Sequence, residues 1–169
     1  MTEKQIFESD NEYSSFQTEV GDDTRAVREG WCAAASALWC KNRTQGKTGI
    51  DTKPSELRAG LLQVKYRWDG EHLTLLENVG LTGKRVYNDM DCDTSLRSMA
   101  NSPGLYFFST YFYDGGGHSM AIDSRPGALY WYDIEEGLFQ YDTAMNLRKG
   151  VKSRYKGSRD VWDGIKIVS

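Results

Sequence analysis

The sequence predicts an α+β fold, with helices first and an antiparallel β-sheet after them. Three observations carry this expectation. The least polar stretch of the chain, Gly30 to Trp39, is alanine-rich, and Ala is the best helix former. The second half is built from short aromatic and β-branched runs separated by Gly, Pro and Ser clusters, the pattern of strands and turns. The two kinds of segment are also segregated along the chain rather than alternating. The 169 residues, 39% hydrophobic and 27% charged, suit one domain with a substantial core.

Taken in order, residues 1–24 are rich in Glu, Asp, Ser and Thr and read as a weakly ordered polar arm or one wrapped on the surface. The remainder, 25–169, is expected to be one folded domain. A buried helix is expected from Cys32 to Lys41. Pro54 suits the first position of a second helix, with Leu57, Leu61, Leu62 and Val64 on one side and an end near Trp68 before Gly70. Leu73, Leu76 and Val79, closed by Gly80, indicate a short third helix carrying His72. Lys84 to Tyr87 is a candidate strand. Asp93 or Thr94 can cap a brief helix over Ser95 to Ala100. Leu105 to Tyr113 and His118 to Asp123 then read as strands around Gly115–Gly117. The turn Ser124–Gly127 makes Leu129 to Asp133 the hairpin partner of the second of these. Leu138 to Tyr141, a basic helix over Ala144–Lys152 and a closing strand suggested by Trp162 and Ile165–Val168 complete the chain.

Composition excludes several classes. The net charge is −3, so the overall basic footprint of a nucleic-acid binder is absent. Charge is nonetheless uneven. Residues 1–30 carry eight acids against three bases and residues 146–169 carry seven bases against two acids. Such ends face solvent or each other; in the sharper reading the basic end contacts an acidic partner or lipid headgroups. Three cysteines, with no C-x-x-C spacing, build no disulfide framework, and a zinc site from them with His72 or His118 is disfavoured. No cofactor is expected. No apolar run nears the roughly 18 residues of a bilayer span, and the polar, acidic start does not resemble a Sec leader.

With 3 Cys and 2 His, few residues can carry thiol or imidazole chemistry. Cys32 opens a predicted helix, where peptide dipoles and unpaired N–H groups favour an anion and lower a thiol pKa. Cys40 lies inside that helix, and Cys92 in what reads as a polar loop. His118 follows three glycines and opens a strand. Asp133 ends the partner strand, where the hairpin brings it close to His118. It could hold one ring nitrogen and leave the other facing Cys32. His72, among charged residues, is expected at the surface. Each match alone also suits plain packing or a turn. Together they have the order of a nucleophile, base and orienting carboxylate.

These pieces carry a resemblance. Gly-Trp-Cys-Ala-Ala-Ala-Ser-Ala-Leu-Trp around Cys32, Gly-Gly-His-Ser-Met-Ala-Ile around His118, and Tyr-Trp-Tyr-Asp-Ile-Glu-Glu-Gly-Leu-Phe-Gln-Tyr around Asp133 resemble the YopT/AvrPphB family of bacterial virulence cysteine proteases and the related glutamine deamidase effectors. The resemblance implies a papain-like fold, with Cys32 at a helix start packed on an antiparallel sheet, and a Cys32–His118–Asp133 catalytic set. It implies an effector, exported by a specialised bacterial secretion system, that acts in the target-cell cytoplasm on a protein. Small GTPases and ubiquitin-pathway proteins are among the expected substrates, with a secretion chaperone or immunity protein as a further partner and a monomer as the expected state. Hydrolysis of a peptide bond and deamidation of a Gln or Asn side chain both fit, and a non-catalytic binding module is the third reading. One departure stands out. Papain-like enzymes often carry a Gln a few residues before the nucleophile as an oxyanion donor, whereas positions 24–31 hold neither Gln nor Asn, and Gln17 is too distant to assign.

Overall fold

The hairpin turn after Asp123 is where the sheet is easiest to derive. Gly127 adopts φ +82, a left-handed conformation that glycine enters without a Cβ penalty. Ala121, Ile122 and Asp123 thereby pair with Tyr132, Trp131 and Tyr130. The computed structural model describes residues 2–9, 31–66, 71–112, 117–155 and 158–169. Its strands are β1 (Glu3–Phe7), β2 (Gly83–Tyr87), β3 (Met90–Asp91), β4 (Leu105–Phe112), β5 (Gly117–Asp123), β6 (Tyr130–Asp133), β7 (Gly137–Tyr141) and β8 (Ser158–Ile167). They form one antiparallel sheet in the order β1-β7-β6-β5-β4-β8-β2, with β3 also paired to β8. The helices are α1 (Cys32–Thr44), α2 (Glu56–Tyr66), α3 (His72–Asn78), α4 (Cys92–Asn101) and α5 (Ala144–Arg154), with a 3₁₀ turn at Gly49–Thr52.

Alternation along the strands divides the core in two, because successive side chains leave a strand on opposite faces. Leu105, Phe107, Ala121 and Tyr132 meet α1 on one face, while Tyr106, Phe108, Met120, Ile122 and Trp131 meet α4 and α5 on the other. Helix α1 is buried all round from Cys32 to Cys40, as a helix lying against a sheet and flanked by other helices must be. It is fixed on the sheet by Ser36 Oγ donating to Ser119 O at 3.2 Å and by Trp39 stacked on Tyr132 at 5.5 Å.

The sheet and its helices follow the expected α+β order, with several local corrections. Strand β1 lies within the segment read as a polar arm; residues 1 and 10–24 of that segment fall outside the described residues. Phe7 reaches the core, and Glu3 pairs with Arg154 at 2.8 Å, so at this point the acidic and basic ends face each other. Helix α2 begins at Glu56, not Pro54, because Ser55 Oγ accepts from Arg58 N and caps it. Its inward face uses the small Ala59 together with Leu62, while Leu57 and Leu61 are exposed. Its expected end at Trp68 is outside the described residues. Helix α4 starts earlier than expected, because Asp91, not Asp93 or Thr94, caps it by accepting from Thr94 N. Strand β8 runs from Ser158, before the expected Trp162, since it fills the gap between β4 and β2.

Candidate active site

The three residues singled out from the sequence converge at one rim of the sheet. Cys32 is the first residue of α1, His118 the second of β5 and Asp133 the last of β6. His118 Nε2 lies 2.6 Å from Asp133 Oδ1, and both side chains are buried. That leaves Nδ1 as the ring nitrogen available to Cys32, with which His118 is hydrogen-bonded. The strand parity of His118 turns it toward the α4–α5 layer while Cys32 comes from the opposite layer. The two can meet because both stand where the strands end.

The electrostatics fit an ion pair. Burial pushes the Cys32 thiol up, but the hydrogen bond and charge of His118 and the backbone N–H of Ser119 outweigh it, against a small opposing push from Asp133; the thiol ends below its ordinary value. Burial pushes His118 down, yet the hydrogen bonds to Asp133 and Cys32 and their charges hold it well above the usual imidazole range. Opposite charge and hydrogen bonding to the charged form are the two effects that can overcome desolvation. In that state the imidazolium donates through Nδ1 to the thiolate and through Nε2 to the carboxylate.

The other thiols lack these partners. Cys40 is buried and is pushed up, by burial first and by the Asp123 charge second, which the Arg125 charge only partly offsets. Cys92 corrects an expectation. It sits not in a loop but as the first residue of α4. Burial nevertheless raises it, a hydrogen bond to Thr110 only partly offsetting this, and the charges of Asp91 and Asp93 add to the rise. A helix start alone does not lower a thiol here; Cys32 differs in having His118 beside it. His72 is likewise not a surface residue. Its Nδ1 lies 2.8 Å from Asp163 Oδ2, and its ring packs on Phe107 and Trp162, far in the sheet order from Asp133.

Two neighbours escaped the sequence reading. Tyr155, at the end of α5, stacks on the His118 ring at 5.4 Å and 20°, and its hydroxyl donates to Asp133 Oδ2. It roofs the His118–Asp133 bond and fixes the carboxylate, which also accepts from Glu135 N at 3.0 Å. Glu135 Oε1 lies 4.0 Å from His118 Nδ1. The periodicity of α5 stops before Tyr155, so no local signal ties it to a strand end. Ligand-type atoms of His118, Asp133 and Glu135 lie within 4.8 Å of one another, the one such cluster among the described residues. None of the cysteines belongs to it, and His118 and Asp133 are already engaged with each other.

This arrangement defines a thiol–imidazole–carboxylate site on a papain-like α+β scaffold. No protein-family model matches the chain, and no curated protein matches it. Among solved structures it is similar to the Pseudomonas avirulence protein AvrPphB, with a TM-score of 0.57 and 19% identity over 81% of this chain and 89% of that one. The likeness shows the fold.

Proposed function

We propose that the protein is an effector-type cysteine hydrolase that cleaves amide bonds in a protein of another cell, with Cys32 as nucleophile, His118 as general acid and base, and Asp133 orienting His118. The observation that carries this reading is the hydrogen-bonded run Cys32–His118–Asp133, which pulls the thiol down and the imidazole up although both are buried. The fold shared with an avirulence protein supports it.

Chemically, the Cys32 thiolate attacks the amide carbonyl carbon. His118 gives its Nδ1 proton to the departing nitrogen, leaving a thioester, and then takes a proton from the water that hydrolyses it. Asp133 holds the ring so that Nδ1 stays on Cys32 and stabilises the imidazolium.

The test is intact-mass spectrometry of candidate host proteins incubated with wild type or Cys32→Ala. Two fragments formed only with wild type support a peptidase. A small mass gain at full length identifies a side-chain deamidase instead. No change with any candidate, together with alkylation of Cys32 by iodoacetamide no faster than of Cys92, sinks the catalytic reading.

A further inference from the structure

A thiolate that attacks a carbonyl leaves negative charge on its oxygen, and such sites place two donors where that charge develops. The backbone half is present at the start of α1, where the first N–H groups lack intrahelical partners. The Ala35 N–H goes to Trp31 O at 2.9 Å. The Ala34 N–H donates to Gln63 Oε1 at 3.1 Å. The N–H groups of Cys32 and Ala33 have no partner among the described residues. The side-chain half has no candidate within 24–31.

Gln63 reaches this helix start from α2. Trp31, at the N-cap, offers α1 no side-chain cap, and Gln63 supplies one from 29 residues away. A backbone N–H only donates, so the amide must turn its oxygen to Ala34. Its NH₂ group, on the same carbon, is thereby left beside the first turn of α1. Among the described residues Nε2 has no hydrogen-bond partner, and the side chain is half-buried, so a substrate can reach it. Leu57 and Leu61, on the outer side of α2, are exposed, while Gln63 turns inward.

From this geometry we infer that Gln63 is the side-chain oxyanion donor of the site: its Oε1 caps α1 and its Nε2–H, beside the Cys32 N–H, binds the oxygen that becomes negative. The inference rests on the thiol-hydrolase reading above. In the step it assists, the C–S bond forms as the carbonyl π pair moves onto oxygen. Collapse restores the C=O and expels the leaving group with its electron pair.

Two probes separate this role from a structural one. p-Nitrophenyl acetate acylates Cys32 through an oxyanion and releases p-nitrophenolate. Iodoacetamide alkylates the same sulfur by displacement at a saturated carbon and forms none. Gln63→Ala and Gln63→Glu are compared with wild type, each at its pH plateau, with Cys32→Ala as the blank. Glu keeps an oxygen for the Ala34 N–H but has no donor. Both variants are expected to lose about a hundredfold in acylation rate and to stay within about twofold of wild type in alkylation. Acylation unchanged in Gln63→Ala overturns the inference. So does a parallel fall of both rates, or full recovery in Gln63→Glu, since either makes Gln63 a cap alone. Wild type that reacts with neither probe at Cys32 instead removes the thiol-hydrolase reading itself.

Discussion

Replacing Asp133 by Asn removes one charge and little else. The remaining oxygen can still accept from Glu135 N, and the Tyr155 hydroxyl can rotate to meet the new amide. What changes is the bond at 2.6 Å from His118 Nε2. A hydrogen bond to a charged group contributes about 1.5–3 kcal/mol and a neutral one about 1. The imidazolium is therefore less stable by about 1–2 kcal/mol, or about one pH unit. Asp133 also acts on Cys32 directly, and there its charge opposes the thiolate, as the weakest of the influences on that thiol. The substitution thus pulls the His118 limb down and leaves the Cys32 limb where it is or slightly lower. Iodoacetate reads both limbs: its rate rises as the thiol ionises and falls as the imidazolium that attracts the anion is lost. The expected result is an alkaline limb about one unit lower and an acid limb that does not rise. An unmoved alkaline limb would refute the reasoning, because His118 would then owe its charge to something other than Asp133.

Tyr155→Phe keeps the ring stack but removes a donor from Asp133; the carboxylate becomes a stronger acceptor, so the alkaline limb in the same assay should move up, and a downward shift contradicts the arrangement. Gly137→Ala should lower stability in urea by about 2–4 kcal/mol, because φ is +124 and the added Cβ would come within 2.1 Å of Phe7 O; an unchanged midpoint would mean that β1 does not lie against β7. Burial raises Asp163, but the hydrogen bonds and charges of His72 and Arg85 win and hold it below the ordinary carboxylate value. Its folded pKa being depressed, its contribution is present above the unfolded value and lost as pH falls through the folded one. Asp163→Asn should cost about 3 kcal/mol near neutral pH and flatten the acid side of the stability curve measured by urea unfolding, and an acid side as steep as wild type counts against the pairing.

What was legible in the sequence was local. The alanine run marks α1 because its composition alone favours helix, and the Pro126-Gly127 turn fixes the β5–β6 register that sets Asp133 against His118. What was not legible depends on distant partners. Strand β1 has no alternation to betray it, since it is an edge strand whose reason for existing is β7, over 130 residues away. Cys92 reads as a loop residue until Asp91 is seen capping α4. Leu57 and Leu61 of α2 read as part of a buried stripe until Ala59 and Leu62 are seen packing against the core in their place. Tyr155 reaches His118 and Asp133 through tertiary packing alone, Gln63 reaches the start of α1 in the same way, and neither carries a motif. The pairing of His118 with Asp133 near the start of α1 was thus readable from residue types and order, while its supports were not.

The place of β8 in the sheet has a consequence for how the molecule comes into being. The last strand is not at an edge; it lies between β4 and β2 and also holds β3. During vectorial synthesis three strands must wait for it. Until it emerges, β4, one of the most aromatic segments, presents an open edge along its whole length. Folding dominated by such non-local closures is slow and exposed to misassembly. A nascent chain stalled before Ser158 is thus expected to remain sensitive to proteolysis, and its release to end that sensitivity.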